Sequence, residues 1–263
     1  MDEIKYGKLT LSLVDGAYNV IDCEKDAEVV VIPSSIDGIF VKSIGESAFK
    51  DCKALKSVTL PDYNSRFAND EEYIIQKAFA DLEEELPRIE DYAFWGCTSL
   101  TEITIPECFS SIGWSAFNGC TALAKVVMHG DPFLYSCVFS GCVSLKEITP
   151  CSTISQGSFS GCNSLTHLPL KENATTIEED AFENCDGLID IVIPKNITRI
   201  ESLAFRGCAN LKSVTFEKPL GWVSYFSYNE KEYTLDLSNP QKNAKMLSCM
   251  DFDDGVLYWE RKK

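Results

Sequence analysis

Residues 112–128 read Ile112-Gly-Trp-Ser-Ala-Phe-Asn-Gly-Cys-Thr-Ala-Leu-Ala-Lys-Val-Val-Met128. Reduced to its apolar and small positions, this is Ile-x-x-x-Ala-Phe-x-x-Cys-x-x-Leu-x-x-Val-x-Met, and the chain states it again and again. The anchor phenylalanines are Phe49, Phe94, Phe117, Phe139, Phe159, Phe182 and Phe205, with successive gaps of 45, 23, 22, 20, 23 and 23 residues. Three residues after each comes Cys52, Cys97, Cys120, Cys142, Cys162, Cys185 or Cys208. Three further on comes Leu55, Leu100, Leu123, Leu145, Leu165, Leu188 or Leu211. A three-point spacing met seven times is an internal repeat, and a repeat decides the fold before any single residue does.

A period of 20 to 23 residues falls in the range of leucine-rich repeats, in which each coil supplies one short strand and a return segment. The strand is Leu-x-x-Val-x-Leu, as in Leu55-Lys-Ser-Val-Thr-Leu60, where apolar residues alternate with polar ones. The Ala-Phe-x-x-Cys part has helix-like apolar offsets and predicts about a turn of α or 3₁₀ helix. Pro61, Pro106 and Pro194 close strands, where a missing N–H does least harm. No coil can bury its apolar side alone, so neighbours must stack into a continuous core.

The full motif, Ile-Gly-x-x-Ala-Phe-x-x-Cys-x-x-Leu-x-x-Val-x-Leu-Pro, resembles the BspA-type (Treponema pallidum-like) leucine-rich repeats of bacteria and some protozoa. The resemblance covers roughly residues 28 to 219. It implies a mostly-β α/β fold: a right-handed, curved solenoid with parallel strands on its concave face, capped at both ends. It also implies a non-enzymatic protein that binds other proteins, since relatives are often surface proteins engaged in adhesion. Fold alone does not assign a function.

Composition narrows the classes. Lys and Arg number 24 against 40 Asp and Glu, a net charge of −16. Nucleic acids and anionic membranes call for basic patches, so neither is the expected partner. No apolar run reaches the ~18 residues of a membrane-spanning helix, and Met1-Asp-Glu-Ile-Lys-Tyr6 has no apolar stretch of a signal peptide. Of the 12 cysteines, seven occupy one repeat position between Phe and Leu, where a buried free thiol behaves as a small hydrophobe. Cys23, Cys108, Cys137, Cys151 and Cys249 form no Cys-x-x-Cys pair, so no zinc site is expected. Unpaired thiols fit a reducing compartment, while the family resemblance also covers cell-surface and secreted proteins.

In chain order, residues 1–43 read as an N-terminal β cap, with Leu9–Leu13 and Val29–Pro33 as strands and Asp37-Gly38 as a hairpin turn before Ile39. Residues 44–219 are the repeats. Within them residues 62–87 depart from the motif, either as an acidic insertion, with a helix over residues 69–86, or as a degenerate repeat. Residues 62–91 hold ten acidic and three basic side chains. They offer an alternative function, an intracellular scaffold or regulator touching its partners through this segment. Pro169 falls inside one strand and should remove a ladder N–H. Residues 220–263 read as a C-terminal cap, aromatic-rich, with a short helix over residues 241–250.

No catalytic constellation emerges. His129 and His167 lack metal or triad spacing, and no phosphate loop, dinucleotide fingerprint or Gly-x-Ser-x-Gly is present. Asp251-Phe-Asp-Asp-Gly255 lacks the distal glutamate of a calcium loop. Asn173-Ala-Thr175 and Asn196-Ile-Thr198 match the short glycosylation sequon. No enzyme, metal or cofactor is expected. What varies from coil to coil is the outward side of the strands. One column reads Ser57, Glu102, Lys125, Glu147, His167, Asp190 and Ser213, and the next Thr59, Thr104, Val127, Thr149, Pro169, Val192 and Thr215. Variation on a fixed frame is how an extended recognition surface is written. The candidate partner-binding residues are Glu102, Thr104, Lys125, Val127, Glu147, Thr149, His167, Asp190 and Val192, facing a protein of basic or polar character.

Overall fold

The coils are pinned to one another by the same buried pair. In the computed structural model, which describes residues 3–62, 86–226, 232–248 and 256–262, the seven anchor phenylalanines form one continuous stack. Successive ring centroids lie 4.7, 5.1, 5.6, 5.7, 5.5 and 5.4 Å apart, with planes tilted by 2° to 19°. All seven rings are fully buried. Burial contributes roughly 1.5–3 kcal/mol per ring, and offset stacking adds about 0.5–1.5 kcal/mol per pair.

The cysteine column explains its own residue type. Each thiol from Cys97 onward donates to the carbonyl oxygen of the anchor phenylalanine one coil back. The Sγ···O distances are 3.1 Å from Cys97 to Phe49, 3.1 Å from Cys120 to Phe94 and 3.2 Å from Cys142 to Phe117. They are 3.2 Å from Cys162 to Phe139, 3.0 Å from Cys185 to Phe159 and 3.1 Å from Cys208 to Phe182. Cysteine is small enough for the space and still carries a weak donor, which alanine lacks. The main chain adds a second tie per coil, for example Phe94 N–H to Ala116 O at 2.7 Å and Phe117 N–H to Val138 O at 2.9 Å.

Phe49 stacks directly on Phe94, and Cys97 reaches back to Phe49, so the spine passes straight from one to the other. The departure between them leaves this spine uninterrupted. The helix expected over residues 69–86 lies outside the described residues except at its last position.

The turn expected at Ala-Phe-x-x-Cys is present as one tight hydrogen-bonded turn and does not extend into a helix. Cys97 N–H bonds back to Phe94 O at 3.1 Å and Cys120 N–H to Phe117 O at 3.1 Å, but the chain then reverses. The residue two after the phenylalanine takes a left-handed conformation, φ +71° at Gly96 and +72° at Gly119, which ends any helix after one tight turn. Where the repeat departs from glycine there, Asp51 and Asn184 take its place, two residue types that tolerate this region.

The single strand expected per coil is also corrected, because many coils carry two. The motif isoleucine opens a second, shorter ladder: Ile39–Ile44, Arg88–Ile89, Ser111–Ile112 and Phe133–Leu134 pair in parallel, and farther along Thr176–Ile177 pairs with Arg199–Glu201. The Leu-x-x-Val-x-Leu ladder is parallel too. It joins Val29–Val31 to Ser57–Thr59, then Glu102–Ile105 to Lys125–Met128 to Glu147–Ile148, then Asp190–Ile193 to Ser213–Phe216. The solenoid makes about 8 turns.

At the N-terminal end, Glu3–Tyr6, Leu9–Val14 and Ala17–Cys23 form an antiparallel meander whose last strand lies parallel to Ile39–Ile44. Ser35–Ile36 turns back on Ile39–Ile44 through Asp37 and Gly38, at φ +49° and +82°, the two positive values that such a tight hairpin needs. At the other end, helix Pro240–Ser248 packs against strand Ser213–Phe216. Asn239 caps it by accepting Lys242 N–H at 2.9 Å, with proline in the first helical position. The buried amide of Asn243 donates to Val214 O at 2.9 Å and to Leu237 O at 3.0 Å, reaching into the edge where a further coil would pair. Val256–Arg261 runs antiparallel to Arg199–Glu201 and closes the isoleucine ladder, with Trp222 and Trp259 buried beneath.

Candidate functional site

In the Leu-x-x-Val-x-Leu strands the apolar positions point inward. Val126 and Met128, Ile103 and Ile105, and Ile191 and Ile193 are buried, so the residues between them face outward by strand alternation. Register then decides which outward side chains meet. Lys125 is paired with Glu102 on one side and Glu147 on the other, and Val127 sits beside Thr104. Lys125 Nζ lies 3.5 Å from Glu147 Oε2, with the two side chains 48% and 71% exposed. A pair so open to water contributes little to stability, ~0–1 kcal/mol, and stays available to a partner. Thr149 is half-buried, and its hydroxyl accepts Met128 N–H at 3.0 Å, so it serves the ladder as well as the face.

Asp190 and Val192 lie in a separate two-stranded ladder, paired with Ser213 and Thr215. Between the two groups comes the coil with His167. His167 is exposed, but its coil forms no strand beyond a single bridge between Cys151 and Leu170. In the neighbouring coil Thr149 N–H donates to Val126 O at 3.1 Å, and Pro169, at the equivalent position, has no N–H to give. Pro169 is also buried rather than facing outward, which corrects its place in the outward column. Its carbonyl accepts Cys151 N–H at 2.9 Å, and Leu170 N–H turns back to Leu168 O at 2.9 Å. The nine predicted residues therefore form two patches: Glu102, Thr104, Lys125, Val127, Glu147 and Thr149 on one, Asp190 and Val192 on the other. His167 stands at the break.

Burial pushes the spine thiols of Cys162 and Cys208 up to about 12, so both stay protonated at neutral pH and are poor nucleophiles. Cys52 goes the other way: a hydrogen bond with Cys23 and the ammonium of Lys25, 3.7 Å from its sulfur, favour its thiolate, though it is fully buried. Two surface depressions, of about 370 and 630 Å³, are lined by neither histidine nor cysteine. Among the described residues no group of three or more His, Cys, Asp or Glu side chains could hold a metal ion. Asn196 of the second sequon donates its amide to the carbonyls of Lys171 and Ala174, so its nitrogen is engaged in bracing a turn. The acidic Asp251–Gly255 stretch and Cys249 lie outside the described residues.

Exposed aromatic side chains on the isoleucine ladder went unread in the sequence. Trp114 is 53% exposed, Phe133 49% and Tyr135 45%. The signal was present, since each stands within two residues of the motif isoleucine or its replacement Leu134, where other coils carry glycine or polar residues such as Ser43, Arg88, Glu178 and Gln156.

Comparison with known proteins agrees with this geometry. The sequence matches the family described as "BspA type Leucine rich repeat region", in 6 copies over residues 23–146, 64–186 and 132–244. No curated protein matches it. Among solved structures it is similar to a leucine-rich cell surface protein from Faecalibacterium prausnitzii A2-165, with 22% identity, a TM-score of 0.62, and coverage of 91% of this chain and 60% of that one. It is similar also to a leucine-rich repeat protein from Eubacterium ventriosum, with 24% identity, a TM-score of 0.60, and coverage of 88% and 54%. The chain thus spans less than two thirds of either relative, and at these identities the likeness is one of fold. No helix among the described residues is long and apolar enough to cross a membrane.

Proposed function

Because the chain belongs to the BspA-type leucine-rich repeat family, a family of generally protein-binding repeats, we propose that it is a non-enzymatic binding protein whose partner docks on the outward columns of the Leu-x-x-Val-x-Leu ladder. The observation that carries this reading is the contrast within each strand. Inward positions keep one apolar character, whereas outward positions change from Glu102 to Lys125 to Glu147 and on to Asp190. The row Glu102-Lys125-Glu147 with Thr104 and Val127 forms the main contact, and Asp190 with Val192 a second one beyond the break at Pro169. Carboxylates on both patches select a partner of basic or polar surface. A few residues would supply most of the affinity, with Lys125, His167 and the flanking carboxylates the leading anchors.

A crosslinked pull-down from the native host, comparing wild type with the triple variant Glu102→Lys, Glu147→Lys, Asp190→Lys, tests this. All three positions are exposed, so the variant should fold with an unchanged melting midpoint. A protein captured by wild type and lost from the variant supports the ladder face and identifies the partner. The same protein retained by both moves the contact elsewhere, with the acidic 62–91 segment the next candidate.

A further inference from the structure

The isoleucine ladder carries a groove of about 370 Å³ on a different sheet from the columns above. Gly113 lines it. A side chain there would begin 2.5 Å from Asp91 Oδ1 and 2.6 Å from Asp91 N, so only glycine lets the two coils close up and leave the hollow. Trp114 and Tyr135 rise beside it, and among the described residues Glu46 and Asp91 bring two carboxylates to its lining. Asp91 is held in place, accepting Trp114 N–H at 2.7 Å. Glu46 is exposed.

Rings on this side of the molecule already hold cations. Lys50 Nζ lies 5.0 Å from the centre of Trp95 and 5.7 Å from that of Tyr92. Farther along the same column, the Arg199 guanidinium lies 3.8 Å from the centre of Tyr258 while its Nε donates to Glu201 at 2.6 Å. That is a cation between a ring and a carboxylate, made from the chain's own residues. The groove at Gly113 has rings and carboxylates too, but among the described residues no cation of the chain lies over Trp114 or Tyr135. A ring face attracts a cation, and nearby carboxylates add to the attraction.

We propose that this groove is a second binding site, for a basic peptide segment whose Lys or Arg side chain lies along Trp114 and Tyr135 and ends at the carboxylates of Glu46 and Asp91. It is independent of the ladder face and stands if that face binds nothing. Occupants of the two sites need not be the same molecule.

The test uses the full chain and a dye-labelled acetyl-Gly-Lys-Gly-Arg-Gly-amide, followed by fluorescence anisotropy at physiological salt. The control peptide carries Glu at both basic positions, and maltohexaose serves as a neutral sugar competitor. Saturable binding of the basic peptide alone is expected, weakened about fivefold or more by Trp114→Ala and by Glu46→Gln and unchanged by Glu172→Gln, an exposed carboxylate outside both the groove and the ladder patches. The indole N–H resonance of Trp114 should shift during the titration. Three results would each overturn the proposal: equal weakening by Glu172→Gln, which marks general attraction to an acidic surface; displacement by maltohexaose, which marks a sugar site; or no saturable binding with the melting midpoint of every variant intact. If Trp114→Ala lowers that midpoint, Glu46→Gln and the indole shift decide alone.

Discussion

The Phe–Cys spine and the Leu-x-x-Val-x-Leu ladder run side by side through the same coils and obey different rules. In the spine, six consecutive ring stacks and six thiol-to-carbonyl bonds proceed without a gap from Phe49 to Cys208. Among the described residues the ladder breaks between Ser57–Thr59 and Glu102–Ile105 and again at Pro169. A coil can lose its strand and remain a coil because its turn is still held. The ties of the spine are continuous, whereas the outward side of the ladder varies in sequence and even in backbone.

Removing a spine ring should therefore have the largest effect. Phe139→Ala leaves a cavity between two stacked neighbours and is expected to cost ~3–5 kcal/mol in denaturant unfolding. A loss below about 1 kcal/mol would erase the contrast between the two sides. Cys142→Ala removes the sulfur that reaches Phe117 O and should cost ~1–2 kcal/mol, while Cys142→Ser, which keeps a donor of similar size, should cost less. If serine proves worse than alanine, apolar fit rather than the hydrogen bond explains the cysteine column.

At the rim of the spine, Asp180 sharpens the comparison through pH. Burial, with Glu183 and Glu179 nearby, raises its carboxyl from the ordinary 3.8 to about 6. The folded state then holds its proton more tightly than the unfolded chain, so this group lowers stability as pH rises from about 4 to about 6. Asp180→Asn should stabilise the protein at pH 7 by no more than about 1 kcal/mol, since the group is partly solvated, and the gain should vanish below about pH 4. Asparagine also accepts the left-handed conformation found there, φ +56°. A gain that persists at low pH would point to a cause other than charge. On the ladder, Lys125→Ala removes an exposed ion pair with Glu147 and should shift stability by less than about 0.5 kcal/mol while weakening partner capture. The reverse, a folding defect without a binding defect, would make the row structural.

The spine was legible because Phe, Cys and Leu recur at fixed offsets and because all three want burial. The inward and outward alternation of Lys125 to Met128 was legible for the same reason, a period of two against an apolar interior. The second ladder was not, because strands such as Arg88–Ile89 and Ser111–Ile112 are two residues long and leave no period to read. Helix-like spacing at Ala-Phe-x-x-Cys signalled the turn but not its geometry, since left-handed residues such as Gly96 and Gly119 stop it before it can propagate. Pro169 signalled the loss of an N–H, but its burial depends on how the interrupted coil settles against Cys151. The groove at Gly113 assembles residues from neighbouring coils, and only the stacking of those coils sets Trp114 beside Tyr135.

The division between a closed spine and an open surface is tested most directly by site-resolved alkylation of the native protein with iodoacetamide, read by peptide mass mapping. Cys97, Cys120, Cys142, Cys162, Cys185 and Cys208 are buried, whereas Cys108 and Cys137 are half-exposed. The expected result is modification of Cys108 and Cys137 with the six spine thiols unmodified until denaturant is added. Modification of the spine thiols at the rate of Cys137 in the native state would contradict it.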